Sequence, residues 1–234
     1  MTDRQNHRPN RSRALALMGA SQVAEPTTVR LTGPIGEHGG IRARSVKAAI
    51  LSGRGQLRLI IDSPGGLVAE AVEIYEALRN LDRPIVATVH RECSSAANIV
   101  LMAAVHRRAP LNARFLLHGT ELPPGGSARW TARRHAARAS VLGSTDQQIV
   151  SIIARASGTA PERLAAELST ERTMTALQAL SAGILTEVVG VSRPPSREWL
   201  ARVRAVRSSG QPVSLSMPSY LFSPAYLSAC EVTQ

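Results

Sequence analysis

Apolar positions recur along the chain in short blocks of two kinds. In residues 57–62, LRLIID, they run almost without interruption, as in a parallel strand covered on both faces. Just downstream, Leu67, Ala71, Ile74, Tyr75 and Leu78 recur at helical spacing. The same reading along the chain gives strands at 27–36 (TTVRLTGPIG), 57–62, 84–90 (PIVATVH), 113–118 (ARFLLH) and 184–190 (ILTEVVG). Helices are predicted at 41–53, ended by Gly53, after the Ser-Pro-Gly-Gly corner at 63–66, and at 95–106 (SAANIVLMAAVH). Capping-box spacing of Ser144 with Gln147, Thr159 with Glu162 and Thr175 with Gln178 predicts three more, with Gly158 and Gly183 placed as C-terminal caps. The alternation of strand and helix predicts an α/β core with a mainly parallel sheet.

The pattern fades at both ends. Residues 1–26 are polar and rich in Arg and Asn, and are predicted to form a disordered basic tail. From 192 the chain turns basic and Pro-bearing; residues 27–191 are therefore read as one domain and 192–234 as an extension of unassigned role. Within it, Trp199, Leu200, Val203 and Val206 fall on one side of a short amphipathic helix.

Charge changes the picture little. The net charge is +11, from 28 basic and 17 acidic residues, and Lys47 is the sole lysine. The arginines are spread out and aromatic residues make up 3%, which gives nucleic-acid bases little to stack on; nucleic acid is not an expected partner. Arg129, Arg133, Arg134 and Arg138 line one predicted helix, read as a solvated basic face first, then a subunit contact, and last a nucleic-acid contact. Cys93 and Cys230 lack metal-ligand spacing and form no disulfide framework, which suits a reducing compartment. No apolar run approaches a membrane span, and ALALMGA near the N-terminus is short for a secretory signal, so a cytoplasmic protein is expected.

The chemistry gathers at strand ends. Strand 84–90 empties into RECSSAAN. A serine on a turn into a small-residue helix exposes its hydroxyl beside the positive end of that helix. Ser95 takes that place, with Ser94 as its rival. The N–H of Ala96 faces the same site, and that of Gly66 could join it to bind an oxyanion, since glycine admits a carbonyl close to bare backbone. His118 ends the next strand and is placed to act as general base; His7, His38, His90, His106 and His135 are less well placed.

These pieces resemble the Clp protease proteolytic-subunit family, and more closely its phage-type, prohead-protease-like branch. The resemblance covers 27–191. It rests on LTGPI, IDSPGG with IYEAL, SSAANIVLMAA, PLNARFLLH and ERTMTALQALSAGIL. It implies a Clp/crotonase-type α/β fold, a repeated β-β-α spiral core with a helical extension through which subunits pack. It also implies a serine endopeptidase with nucleophile Ser95, base His118, orienting acid Glu171, and oxyanion donors Gly66 and Ala96. The implied substrate is a peptide or unfolded protein, the implied assembly a homo-oligomeric ring, and a Clp-type ATPase is a candidate partner. No metal or organic cofactor and no membrane are implied.

The chain departs from the family pattern at Arg91, where a glycine is usual, at Cys93 and Ser94, where alanine is usual, and at Glu171, where the caseinolytic branch has Asp. Arg91 raises the prospect of a cation blocking the site. A catalytically silent structural subunit is therefore one alternative, and a crotonase-like acyl-CoA enzyme is another. A Ser-Lys dyad would have only Lys47 to use, on the early helix before the corner.

Overall fold

Strands β1 (Thr27–Thr32), β2 (Leu57–Ser63) and β3 (Ile85–Ser94) lie side by side in parallel, in a computed structural model that describes residues 24–37, 39–122, 131–171 and 173–190. The tail before residue 24, His38, Arg129, Cys230 and the extension with Trp199 and Val206 lie outside the described residues. Helices α1 (Ala43–Leu51), α2 (Val68–Arg79) and α3 (Ala97–Leu101) connect or follow these strands. Strand β4 (His106–Pro110) pairs with β3 in parallel at Val86–Thr88. Strand β5 (Arg114–Leu116) pairs with the same side of β3 further along, at Glu92–Ser94. The two short strands thus lie end to end in one lane beside β3.

Helices α4 (Ala132–Ser157) and α5 (Pro161–Thr170) come next, then β6 (Thr173–Thr175), α6 (Ala176–Ser181) and β7 (Glu187–Val189). Strand β7 closes the row β1-β2-β3-β4-β7, while β6 pairs with β5 in the one antiparallel ladder among the described strands. The expected mixed α/β architecture with a parallel sheet is present. Its core is built from small and branched apolar residues: Leu57, Leu59, Ala87, Val89, Ile99, Leu101, Ala109 and Phe115 are all fully buried. Among the described residues, no helix is long and apolar enough to cross a membrane.

Three expectations change. The helix predicted over 95–106 is realised only as Ala97–Leu101, because His106–Pro110 is recruited into β4. Ser144 caps nothing: α4 is one helix of 26 residues, and the Ser144 hydroxyl donates back to Val141 O at 2.9 Å. Thr159 does not cap α5 either; Ala160 is the N-cap, Pro161 opens the helix, and Thr159 Oγ1 donates to Ala182 O at 2.8 Å. The Thr175/Gln178 capping box on α6 and the left-handed Gly158 cap on α4 are as predicted.

One buried cation holds the rear of the domain. Arg107 on β4 is 6% exposed. Its guanidinium donates to Ile184 O (2.8 Å), Ala104 O (2.8 Å), Ala156 O (3.0 Å) and Gly183 O (3.1 Å). It therefore ties the turn after α3, the end of α4 and the turn after α6 to one point. Burial lowers its pKa from the ordinary arginine value.

Candidate active site

Strands β1, β2, β3 and β5 end on one edge, and the candidate residues collect there. Ser95 follows the last residue of β3 and precedes α3. Its φ of 52° is one of two positive values among the described non-glycine residues. That left-handed turn lets the chain leave the strand sharply and enter the helix, presenting the Ser95 side chain at the corner. Ser95 N–H donates to Leu116 O of β5 at 2.8 Å, which fastens the turn to the neighbouring strand. Asn98, 1% exposed, adds a second fastening: Nδ2 donates to Ser95 O (3.1 Å) and Leu116 O (2.9 Å).

The Ser-Pro-Gly-Gly corner packs directly on this turn. A Cβ on Gly65 would lie 2.6 Å from both Ser94 O and Ser95 Cβ and 2.9 Å from Ala96 N, so only bare backbone fits. Ser63, 1% exposed, fixes the corner from below: its hydroxyl donates to Gly33 O (2.7 Å) and accepts from Gly65 N (3.2 Å). Ile35 N donates to Gly65 O and Leu67 N to Ile35 O, so the backbone on either side of Gly66 is clamped to the 33–36 loop. The N–H groups of Gly66 and Ala96 have no acceptor among the described residues.

Gly66 itself has φ 140°, and a Cβ there would lie 2.1 Å from Ile35 O. Gly66→Ala is therefore expected to destabilise the domain by about 3 kcal/mol, by positive-φ strain and displaced backbone together. Urea unfolding checks this; an unchanged midpoint would show that the loop yields freely.

His118 lies two residues past Leu116, which pairs with Ser94, so it shares the edge with Ser95. The loop behind it is pinned by Gly119 N to Leu168 O (3.0 Å) and Thr120 N to Asp146 Oδ1 (2.7 Å). The β5–β6 ladder ends at Leu116 and Thr173, two residues before His118 on one strand and two residues after Glu171 on the other. Glu171 is the other positive-φ residue, at 48°, and terminates α5.

The side chains are not joined, however. Ser95, His118 and Glu171 share no hydrogen bond or ion pair among the described residues. His118 Nδ1 is buried without a partner, and the nearest carboxylate oxygen is Glu121 Oε1, at 3.7 Å.

The rivals are occupied elsewhere. Ser94 is buried and its hydroxyl donates to Glu92 at 2.8 Å. Cys93 is fully buried, and desolvation, with Glu92 nearby, pushes its thiol pKa well up, which disfavours the nucleophilic thiolate. Arg91 sits in a bulge of β3, where Ile61 pairs with Val89 but Ser63 with Cys93. The bulge turns its guanidinium onto Asp62 Oδ2 (2.9 Å), and its side chain is 75% exposed. Sequence reasoning missed Ser63 and Asn98 as parts of the site. The one available signal was a polar amide inside the otherwise small and apolar run SAANIVLMAA.

A parallel sheet whose edge carries a strained serine turn, a bare glycine corner and a histidine has the layout of a hydrolase that holds a hydroxyl at a strand–helix elbow. The chain belongs to the Clp protease family, a family of peptidases, whose family model matches residues 29–192. It is 27% identical over 174 residues to the ATP-dependent Clp protease proteolytic subunit 3 of Rhodococcus jostii (strain RHA1), spanning 73% of this chain and 84% of that protein.

Proposed function

We propose that this chain is a serine-type endopeptidase acting on peptides or unfolded proteins. His118 takes the Ser95 proton as Ser95 Oγ attacks the scissile carbonyl. The N–H groups of Gly66 and Ala96 stabilise the oxyanion. His118 then returns the proton to the leaving amine, and water releases the acyl-enzyme. Glu171 orients the imidazole; its left-handed backbone, two residues before the strand that pairs with β5, supports that role. The side chains close into hydrogen-bonding contact when substrate or neighbouring subunits complete the edge. A homo-oligomeric ring, packed through the exposed first half of α4, and an ATPase partner belong to the same proposal.

The observation that carries this reading is the Ser95 turn. A non-glycine residue is held left-handed against the bare Gly65 backbone, with the Ala96 N–H free beside it. Strain of this kind persists where the surroundings enforce it, and clusters at functional sites. The test is incubation with a fluorophosphonate probe followed by peptide mapping. One adduct on Ser95 is expected, and Ser94→Ala should keep it. A wild-type protein that stays unlabelled in every assembled form would identify a silent subunit.

A further inference from the structure

We infer that Asn98 is a positioning residue that locks the nucleophile turn to the strand carrying the general base, an inference that rests on the serine-peptidase reading above. Its amide nitrogen reaches two backbone carbonyls at once, Ser95 O at 3.1 Å and Leu116 O at 2.9 Å. Leu116 O also accepts from Ser95 N, and Ser95 O also accepts from Asn98 N at 3.0 Å. Ser95, Asn98 and Leu116 therefore form one closed knot of hydrogen bonds across the gap between β3 and β5. Two carbonyl acceptors fix the amide orientation, because only the NH₂ end can donate to both.

The arrangement is costly to the fold, and that points to a purpose. Asn98 is 1% exposed, and its Oδ1 is buried with no partner. An alanine or leucine, as elsewhere in this helix, would avoid the orphaned oxygen. Nor is the amide needed to satisfy the two carbonyls, since each keeps a backbone donor without it. What it adds is a rigid link between a residue at φ 52° and a strand that reaches His118 two residues later. A left-handed serine turn relaxes unless its surroundings over-determine it. Leu116 cannot shift without moving His118. The amide therefore holds the hydroxyl and the imidazole in one frame.

The experiment compares Asn98→Ala and Asn98→Ser with the full-length wild type, by intact-mass kinetics of fluorophosphonate labelling across probe concentrations. Asn98→Ala is expected to lower the limiting labelling rate roughly 10- to 100-fold, the scale of an ångström of misplacement. The half-saturating probe concentration should stay within about twofold, since probe binding does not use this amide. Asn98→Ser should recover part of the rate, because its hydroxyl can donate to Ser95 O but not to Leu116 O; it also carries the comparison if the alanine variant does not fold. Ile50→Ala, a buried position on α1 away from the residues of the site, controls for lost stability alone. Wild-type rates in both Asn98 variants, or a loss matched by Ile50→Ala, would overturn the positioning role while leaving the peptidase reading intact. An unlabelled wild type would overturn both.

Discussion

Ser95→Ala should lower peptide hydrolysis by about 10⁴- to 10⁶-fold, the range seen when a serine nucleophile is removed from a complete triad. The same loss is expected of Ser95→Gly, with a difference that reveals the turn. Ser95 is left-handed, a conformation that costs a non-glycine residue of order 1 kcal/mol or more. Glycine adopts it freely. Ser95→Gly should therefore be inactive yet up to about 1 kcal/mol more stable than Ser95→Ala, after allowing for glycine's greater freedom in the unfolded chain. Thermal unfolding of the pair, beside a peptidase assay, measures both effects. Equal stability of the two variants would mean that the turn relaxes around alanine and stores no strain. Retained hydrolysis in either variant would remove Ser95 from the chemistry.

Arg107→Met should destabilise the domain by at least about 3 kcal/mol, since hydrogen bonds from a charged donor are each worth about 1.5–3 kcal/mol and four carbonyls lose theirs. Among the described residues no carboxylate pairs with Arg107, so its charge is balanced by carbonyl dipoles alone. Arg107→Lys should rescue little. An ammonium keeps the charge but cannot present a planar fork to acceptors on three separate segments. Urea unfolding of the three proteins gives the comparison, and a lysine variant as stable as wild type would show that charge rather than geometry matters. Because Arg107 sits on β4 and anchors the turn before β7, the loss should loosen the β4–β7 edge before the β1–β2–β3 core, visible as earlier amide exchange there.

Ser95, His118 and the Gly65–Gly66 corner are legible in the sequence because each sits where a strand runs out, and strand ends are marked by apolar runs meeting small or polar residues. β4 is not legible for the opposite reason. HRRAP buries Arg107 and Ala109, a pair without apolar alternation, so the segment reads as a polar helix end. The same arginine counts in the composition as one more surface cation; only the carbonyls converging on it from distant segments reveal a structural centre. Ser144 misleads because a serine three residues before a glutamine has the spacing of a cap wherever it occurs. In mid-helix its hydroxyl turns back to the preceding carbonyl instead. The bulge in β3 is invisible to periodicity as well, and it decides the fate of Arg91: the residue that threatened to block the site is turned outward onto Asp62.

The end-to-end arrangement of β4 and β5 along β3 has a consequence for the birth of the protein. β3 is the strand that pairs with both of them. The β1–β2–β3–β4 rows can pair as soon as residue 110 has emerged, with the corner at 65–66 already packed on the turn at 95, whereas the segments holding His118 and Glu171 are drawn together only when β6 folds back on β5. A nascent chain leaving the ribosome residue by residue thus completes much of its sheet before the proposed site can assemble. On the peptidase reading proposed above, a product cut short before Glu171 would carry the nucleophile without β6, the strand that pairs with β5 beside its base. A growing polypeptide is held beside unfolded segments of itself, and this order of assembly keeps the cutting edge apart from them until most of the domain is made.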